Sequence, residues 1–179
     1  ENVRGVRRLG ERCRVLGAAR LAFMVHPYLH LDFEMRVDDI DEERRRAFTY
    51  ADPAAMERVF AAVRLGLRAG GTTCMLMCDD LVPHEGTNPK YYGLHDPEDR
   101  RRFGNLAAAQ AYLVNEVFRL LAVEAPGARL EFCPPWYLNE HVDKGFGRAE
   151  QYLEELGARI PPEVGVIWCG PTVRSLSVD

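Results

Sequence analysis

The chain has 179 residues, of which 47% are apolar and 28% charged, a composition that excludes the disordered and fibrous classes and suits one domain or part of a larger one. Its formal net charge of −4 gives no reason to expect a nucleic acid or an anionic membrane as partner. No apolar stretch approaches the roughly 20 residues that span a bilayer, and the opening "ENVRG" has neither an initiator methionine nor a signal-peptide pattern, as expected of a piece of a longer protein.

A helix is predicted over residues 2–17, before the first of four short apolar runs. The runs are "RLAFMVHP" (20–27), "TTCMLMCDD" (72–80), "ARLEFCPPWY" (128–137) and "EVGVIWCGP" (163–171). Each is nearly continuous in apolar residues, the pattern of parallel strands covered on both faces. Helical patterns separate them at 52–67, 97–123 and 148–156, and Asp52 and Asp96 each precede a proline, which suits an N-cap followed by Pro in the first turn. The alternation αβαβαβαβ predicts an α/β fold with right-handed crossovers. Long loops follow the strands and short ones precede them, which suits a (β/α) barrel with its site at the carboxyl ends of the strands. A doubly wound open sheet is the alternative, but neither GxGxxG nor a P-loop is present. Four βα units make half of an eight-stranded barrel, so the expectation is a single domain over 1–179 that is part of a barrel.

Five cysteines, Cys13, Cys74, Cys78, Cys133 and Cys169, are odd in number and lack CxxC spacing. Buried free thiols are expected, and free thiols favour a cytoplasmic compartment without deciding it.

Asp79 and Asp80 end the second run, where a barrel holds catalytic groups. Two acids in unequal environments can separate a proton donor from an ionised partner; the plain alternative is a solvated strand end. Asp38 and Asp39 form a similar pair in "VDDID", but no apolar strand precedes them and "EERRR" follows, so a charged surface loop is the better reading. In "FCPPWY" two prolines force the chain off the sheet and deliver Trp136 and Tyr137 to the mouth, where aromatic rings suit the faces of a sugar; rim packing is the competing reading. The Gly-Pro turn of "IWCGPTV" brings Val173 to the mouth, and Trp168 reads as core. His26, His30 and Asp32 are loosely spaced as metal ligands, with His84 and His95 in the next long loop, but no HExxH or helical His pair is present.

Together these segments resemble one family. An apolar strand ending in Asp79-Asp80-Leu81, then Cys133, Pro134 and Tyr137, then "YLEELG", then Trp168, Gly170, Pro171 and Val173 resemble the catalytic barrel of β-N-acetylglucosaminidases of the O-GlcNAcase type. This is glycoside hydrolase family eighty-four, which also carries a hyaluronidase label. The resemblance covers about residues 20–179 and implies strands three to six of a partial (β/α)8 TIM barrel. It implies a retaining, substrate-assisted glycosidase that removes terminal β-linked N-acetylglucosamine from a glycan or glycoconjugate, with no cofactor and no metal. Asp79 would orient the 2-acetamido group and stabilise the oxazoline, and Asp80 would serve as general acid and then base. Tyr137 would line the sugar pocket and Val173 would border the acetamide. Cys169 replaces the threonine of the family's "WTGP", His26-Pro27-Tyr28 replaces its Ser-Pro-Gly turn, and "TNPKYYGLHDPEDRRR" lengthens a loop. The family's flanking strands, with a lysine, an asparagine and an aspartate that bind sugar, are not in this stretch, so the fragment alone is expected to be inactive. The rival readings are a non-catalytic glycan-binding relative and a metal-dependent barrel hydrolase using His26, His30 and Asp79. Aglycone and oligomeric state stay open.

Overall fold

A computed structural model describes residues 11, 21–27, 48–79, 94, 96–145 and 148–170. The expected first helix, apart from Glu11, lies outside the described residues. Strands β1 (Ala22–Val25), β2 (Thr73–Met77), β3 (Arg129–Cys133) and β4 (Gly165–Val166) form one parallel sheet in chain order. Helices α1 (Pro53–Arg68), α2 (Pro97–Phe103), α3 (Leu106–Glu124), α4 (Asn139–Asp143) and α5 (Ala149–Gly157) lie between them.

Local chemistry sets the helix starts. Asp52 accepts from Ala54 N and Ala55 N ahead of Pro53, and Asp96 accepts from Glu98 N and Asp99 N ahead of Pro97, so each carboxylate satisfies amides that the first turn leaves without partners. The single helix expected over 97–123 is two. Gly104 takes φ 78° and ends α2, and Asn105 begins α3 by accepting from Ala108 N. A left-handed glycine followed by a new cap stops one helix and starts the next.

Register assigns the faces. Phe23 pairs with Cys74, Val25 with Leu76, and these with Leu130 and Phe132. Side chains two apart on a strand share a face, so Val25, Cys74, Leu76, Leu130 and Phe132, all buried, form one wall. α1 packs on β1, α3 packs on β3, and α5 packs on α3, so the helices cover that wall. The opposite face holds Met24, which is 64% exposed, with Met75, Met77 and Glu131 partly exposed. Among the described residues, helices cover one face of the sheet.

α3 is long and apolar enough to cross a membrane, contrary to the sequence reading that no stretch approaches that length. Its Leu113, Val114, Val117 and Leu121 are buried in the core, the arrangement of a central helix in a packed domain.

Candidate active site

The carboxyl ends of the strands carry the chemistry. Counting in twos from Met75 and Met77 puts Asp79 on the inner face, away from the helices, and the same count from Ala22 and Met24 puts His26 there. The two side chains meet: His26 Nδ1 lies 3.9 Å from Asp79 Oδ1. That is an ion-pairing separation rather than a hydrogen bond. Asp79 Oδ1 is buried and has no hydrogen-bond partner among the described residues. An acid oxygen in that state is costly unless a ligand or a moving side chain satisfies it.

Behind Asp79 the support is tightly packed. Cys78 N donates to Cys133 O at 2.9 Å, which carries the β2–β3 ladder past the last strand residue. The Cys78 side chain is fully buried; burial, and then the charge of Asp79, push its thiol well up. Burial alone raises Cys74 to about 12. Thiols held neutral in this way are packing groups, not nucleophiles. Cys74, Cys78 and Cys133 are thus the buried thiols expected, whereas Cys169 is exposed and Cys13 lies outside the described residues.

Beneath Cys78, Tyr152 on α5 donates its hydroxyl to Gln110 on α3. Burial raises the Tyr152 hydroxyl, and so does the neighbouring Cys78. The Tyr50 hydroxyl is raised by burial first and by Cys78 next. Both phenols stay neutral, and this polar cluster stiffens the end of β2 from the helix side.

The segment after β3 behaves differently from expectation at one residue. Trp136 is 0% exposed and its ring meets Tyr152 edge-on at 4.8 Å, so it belongs to the helix-side core and not to the mouth. The physical reason is alternation: neighbouring residues of an extended segment point to opposite sides, and Trp136 takes the inward side. Tyr137 keeps partial exposure, with its ring edge-on to His141 at 5.4 Å. The two tryptophans differ from expectation in burial. Trp168, read as core, is 39% exposed and donates from Nε1 to Asn139 Oδ1 at 2.8 Å.

Two backbone bonds hold Tyr137 in place. Cys169 N donates to Tyr137 O at 2.9 Å, and Asn139 N donates to Gly170 O at 3.1 Å. Gly170 takes φ 79°, a conformation that residues with a side chain rarely adopt. The structure therefore brings together His26 with Asp79, and Tyr137 with Trp168, Cys169 and Asn139. Asp80 and Val173 lie outside the described residues, as do His30, Asp32, His84, His95 and the pair Asp38 and Asp39. No group of three or more His, Cys, Asp or Glu side chains suited to a metal occurs among the described residues. Sequence reasoning considered His26 as a metal ligand and as part of the turn that replaces the family's Ser-Pro-Gly, but not as a partner of Asp79. Its place as the last residue before Pro27 at a strand end was the available signal that it borders the site.

A family model described as beta-N-acetylglucosaminidase matches residues 7–179. Among solved structures, a mutant form of the O-GlcNAc hydrolase of Thermobaculum terrenum is similar, with 23% sequence identity and a TM-score of 0.69, over 98% of this chain. The chain covers 31% of that protein's chain. That likeness concerns the fold, and the four-stranded parallel sheet is part of a TIM-barrel-like α/β architecture.

Proposed function

The chain belongs to the beta-N-acetylglucosaminidase family, and on that premise we propose that the protein containing it removes terminal β-linked N-acetylglucosamine from a glycan or glycoconjugate by substrate-assisted catalysis. The observation that carries this reading is Asp79: an inner-face acid at the carboxyl end of β2 whose buried Oδ1 has no hydrogen-bond partner among the described residues. A carboxylate with acceptor capacity left unmet in this way is ready to take an amide N–H. A 2-acetamido group held by Asp79 would turn its carbonyl oxygen toward the anomeric carbon, which it attacks to form an oxazoline. Intramolecular attack of this kind reaches effective molarities of about 10⁵–10⁸ M, so no nucleophile from the protein is required. Asp79 stabilises the positive charge that develops on the acetamide nitrogen. Asp80, the next residue, donates a proton to the leaving oxygen and then takes one from the incoming water, a role worth about 10²–10⁴-fold in rate. Tyr137 lines the sugar, Val173 borders the acetamide, and Trp136 supports Tyr137 from behind rather than touching sugar. Residues 1–179 act as one domain within a longer catalytic barrel.

The test is turnover of the full-length protein on aryl N-acetylglucosaminides whose acetyl methyl carries zero to three fluorines. Each fluorine lowers the nucleophilicity of the carbonyl oxygen, so kcat/KM is expected to fall steadily along the series. A flat response would show that the acetamide is not the nucleophile.

A further inference from the structure

We propose that His26 is a positioning residue for Asp79, its imidazole fixing one carboxylate oxygen so that the other faces the substrate's acetamide. The inference rests on the substrate-assisted reading above and goes beyond it, since nothing in that reading uses His26.

Three observations carry it. The first is placement: β1 and β2 pair in parallel with Val25 opposite Leu76, so His26 continues the register beside Met77, and Asp79, two residues beyond Met77, leaves the same end of the sheet on the same face. The second is contact. His26 Nδ1 is 3.9 Å from Asp79 Oδ1, and that same oxygen is buried without a hydrogen-bond partner among the described residues. The third is direction. Pro27 follows, and a proline holds the residue before it in extended backbone, so the imidazole leaves β1 along a defined line.

The remaining gap of about 1 Å to a hydrogen bond is within reach of side-chain rotation. Both side chains are partly open, 31% for His26 and 23% for Asp79, and catalytic contacts that are long without substrate commonly tighten when it binds. In the tautomer with its proton on Nδ1, His26 donates to Oδ1. Oδ1 is then satisfied, the carboxylate plane is set, and Oδ2 is left to accept from the acetamide N–H. Asp79 is the charged group of β2 that faces His26, and Glu131 lies two strands away on that face. α1, packed behind β1, carries Glu57, Arg58, Arg64 and Arg68 on the opposite side of the sheet.

The test is a double-mutant cycle in the full-length protein, read on an activated aryl N-acetylglucosaminide. His26→Ala is expected to lower kcat/KM about 10- to 100-fold, the cost of misplacing a reacting group by about 1 Å. His26→Asn, whose amide keeps an N–H near the position of Nδ1, is expected to recover most of that loss. In an Asp79→Asn background, His26→Ala is expected to change the rate less than twofold, because a residue acting through Asp79 has nothing left to position. Equal losses from His26→Ala in both backgrounds, or no recovery by His26→Asn, would overturn the role. The fluorinated series on the parent separates the two failures. A flat parent series removes the substrate-assisted reading and this proposal with it, whereas a falling series with additive variants removes the His26 role alone.

Discussion

Asp99 is 2% exposed in the first turn of α2, yet it carries a carboxyl group. Its two oxygens accept from Tyr50 N at 2.9 Å and Ala51 N at 2.7 Å, so it pins the turn that precedes α1 and places the Tyr50 ring among Phe48 and Phe103. Burial raises its pKa above the ordinary value, and the two backbone amides oppose that only in part. A carboxyl whose folded pKa is raised holds its proton more tightly in the folded state. Its contribution to stability is therefore fully present below the unfolded pKa and is lost as pH rises through the folded value. Asp99→Asn keeps an acceptor but has no proton to lose. The stability of the parent relative to Asp99→Asn should be level below the ordinary carboxylate pKa, fall as pH rises from there through the raised folded value, and level off above it. Asp99→Ala orphans both amides and should cost about 1–3 kcal/mol for each at neutral pH. Denaturant unfolding across the acid range measures both; a parent-to-Asn difference that rises with pH would contradict the burial argument.

The β1–α1 contact depends on two residues that lack side chains. Phe23 lies between Gly66 and Gly71, and a Cβ on Gly66 would come within 2.2 Å of its ring, one on Gly71 within 2.3 Å. Gly66 sits inside α1, where by propensity alone alanine would stabilise a helix by about 1 kcal/mol. Steric exclusion reverses the sign here. Gly66→Ala should destabilise the protein by about 1–3 kcal/mol, the usual range for overpacking, and Phe23→Leu in the same background should recover part of the loss. Thermal melting of the three variants decides it, and a Gly66→Ala protein more stable than the parent would refute the packing account. Hydrophobic periodicity placed α1 and α5 to within a residue or so of their observed bounds because their cores repeat at helical spacing: Ala55, Met56, Val59 and Val63 in one, Ala149, Tyr152 and Leu156 in the other. The break at Gly104 was missed because helix-compatible residues flank it, "EDRRRF" before and "LAAAQA" after, and one left-handed residue leaves no mark on a pattern read over the whole stretch. The five-residue α4 was read as loop for a related reason: none of its residues is buried, so it leaves no periodic signal.

At the scale of the molecule, the inner face of the sheet is the open question of packing. Met24, 64% exposed on that face, stands on an outer strand of the order β1-β2-β3-β4, and an edge strand with an apolar face invites pairing. If a longer barrel encloses that face, Met24 becomes an interior residue. Met24→Arg should then change the stability of the 179-residue chain by about 0.5 kcal/mol or less, but destabilise the full-length protein by several kcal/mol, about 3–5 for an unpaired buried charge. Equal, small effects in both would show that the face stays open. Composition and spacing were enough to determine the α/β class, the parallel order of the strands and the capped helix starts. Each of these rests on contacts close in sequence or on a repeating pattern of burial. Which tryptophan is core, which cysteine is exposed, and that His26 meets Asp79 were decided by tertiary structure alone. Those outcomes depend on register between strands about fifty residues apart and on which side of an extended segment meets a helix, and neither quantity is written in the local order of residues.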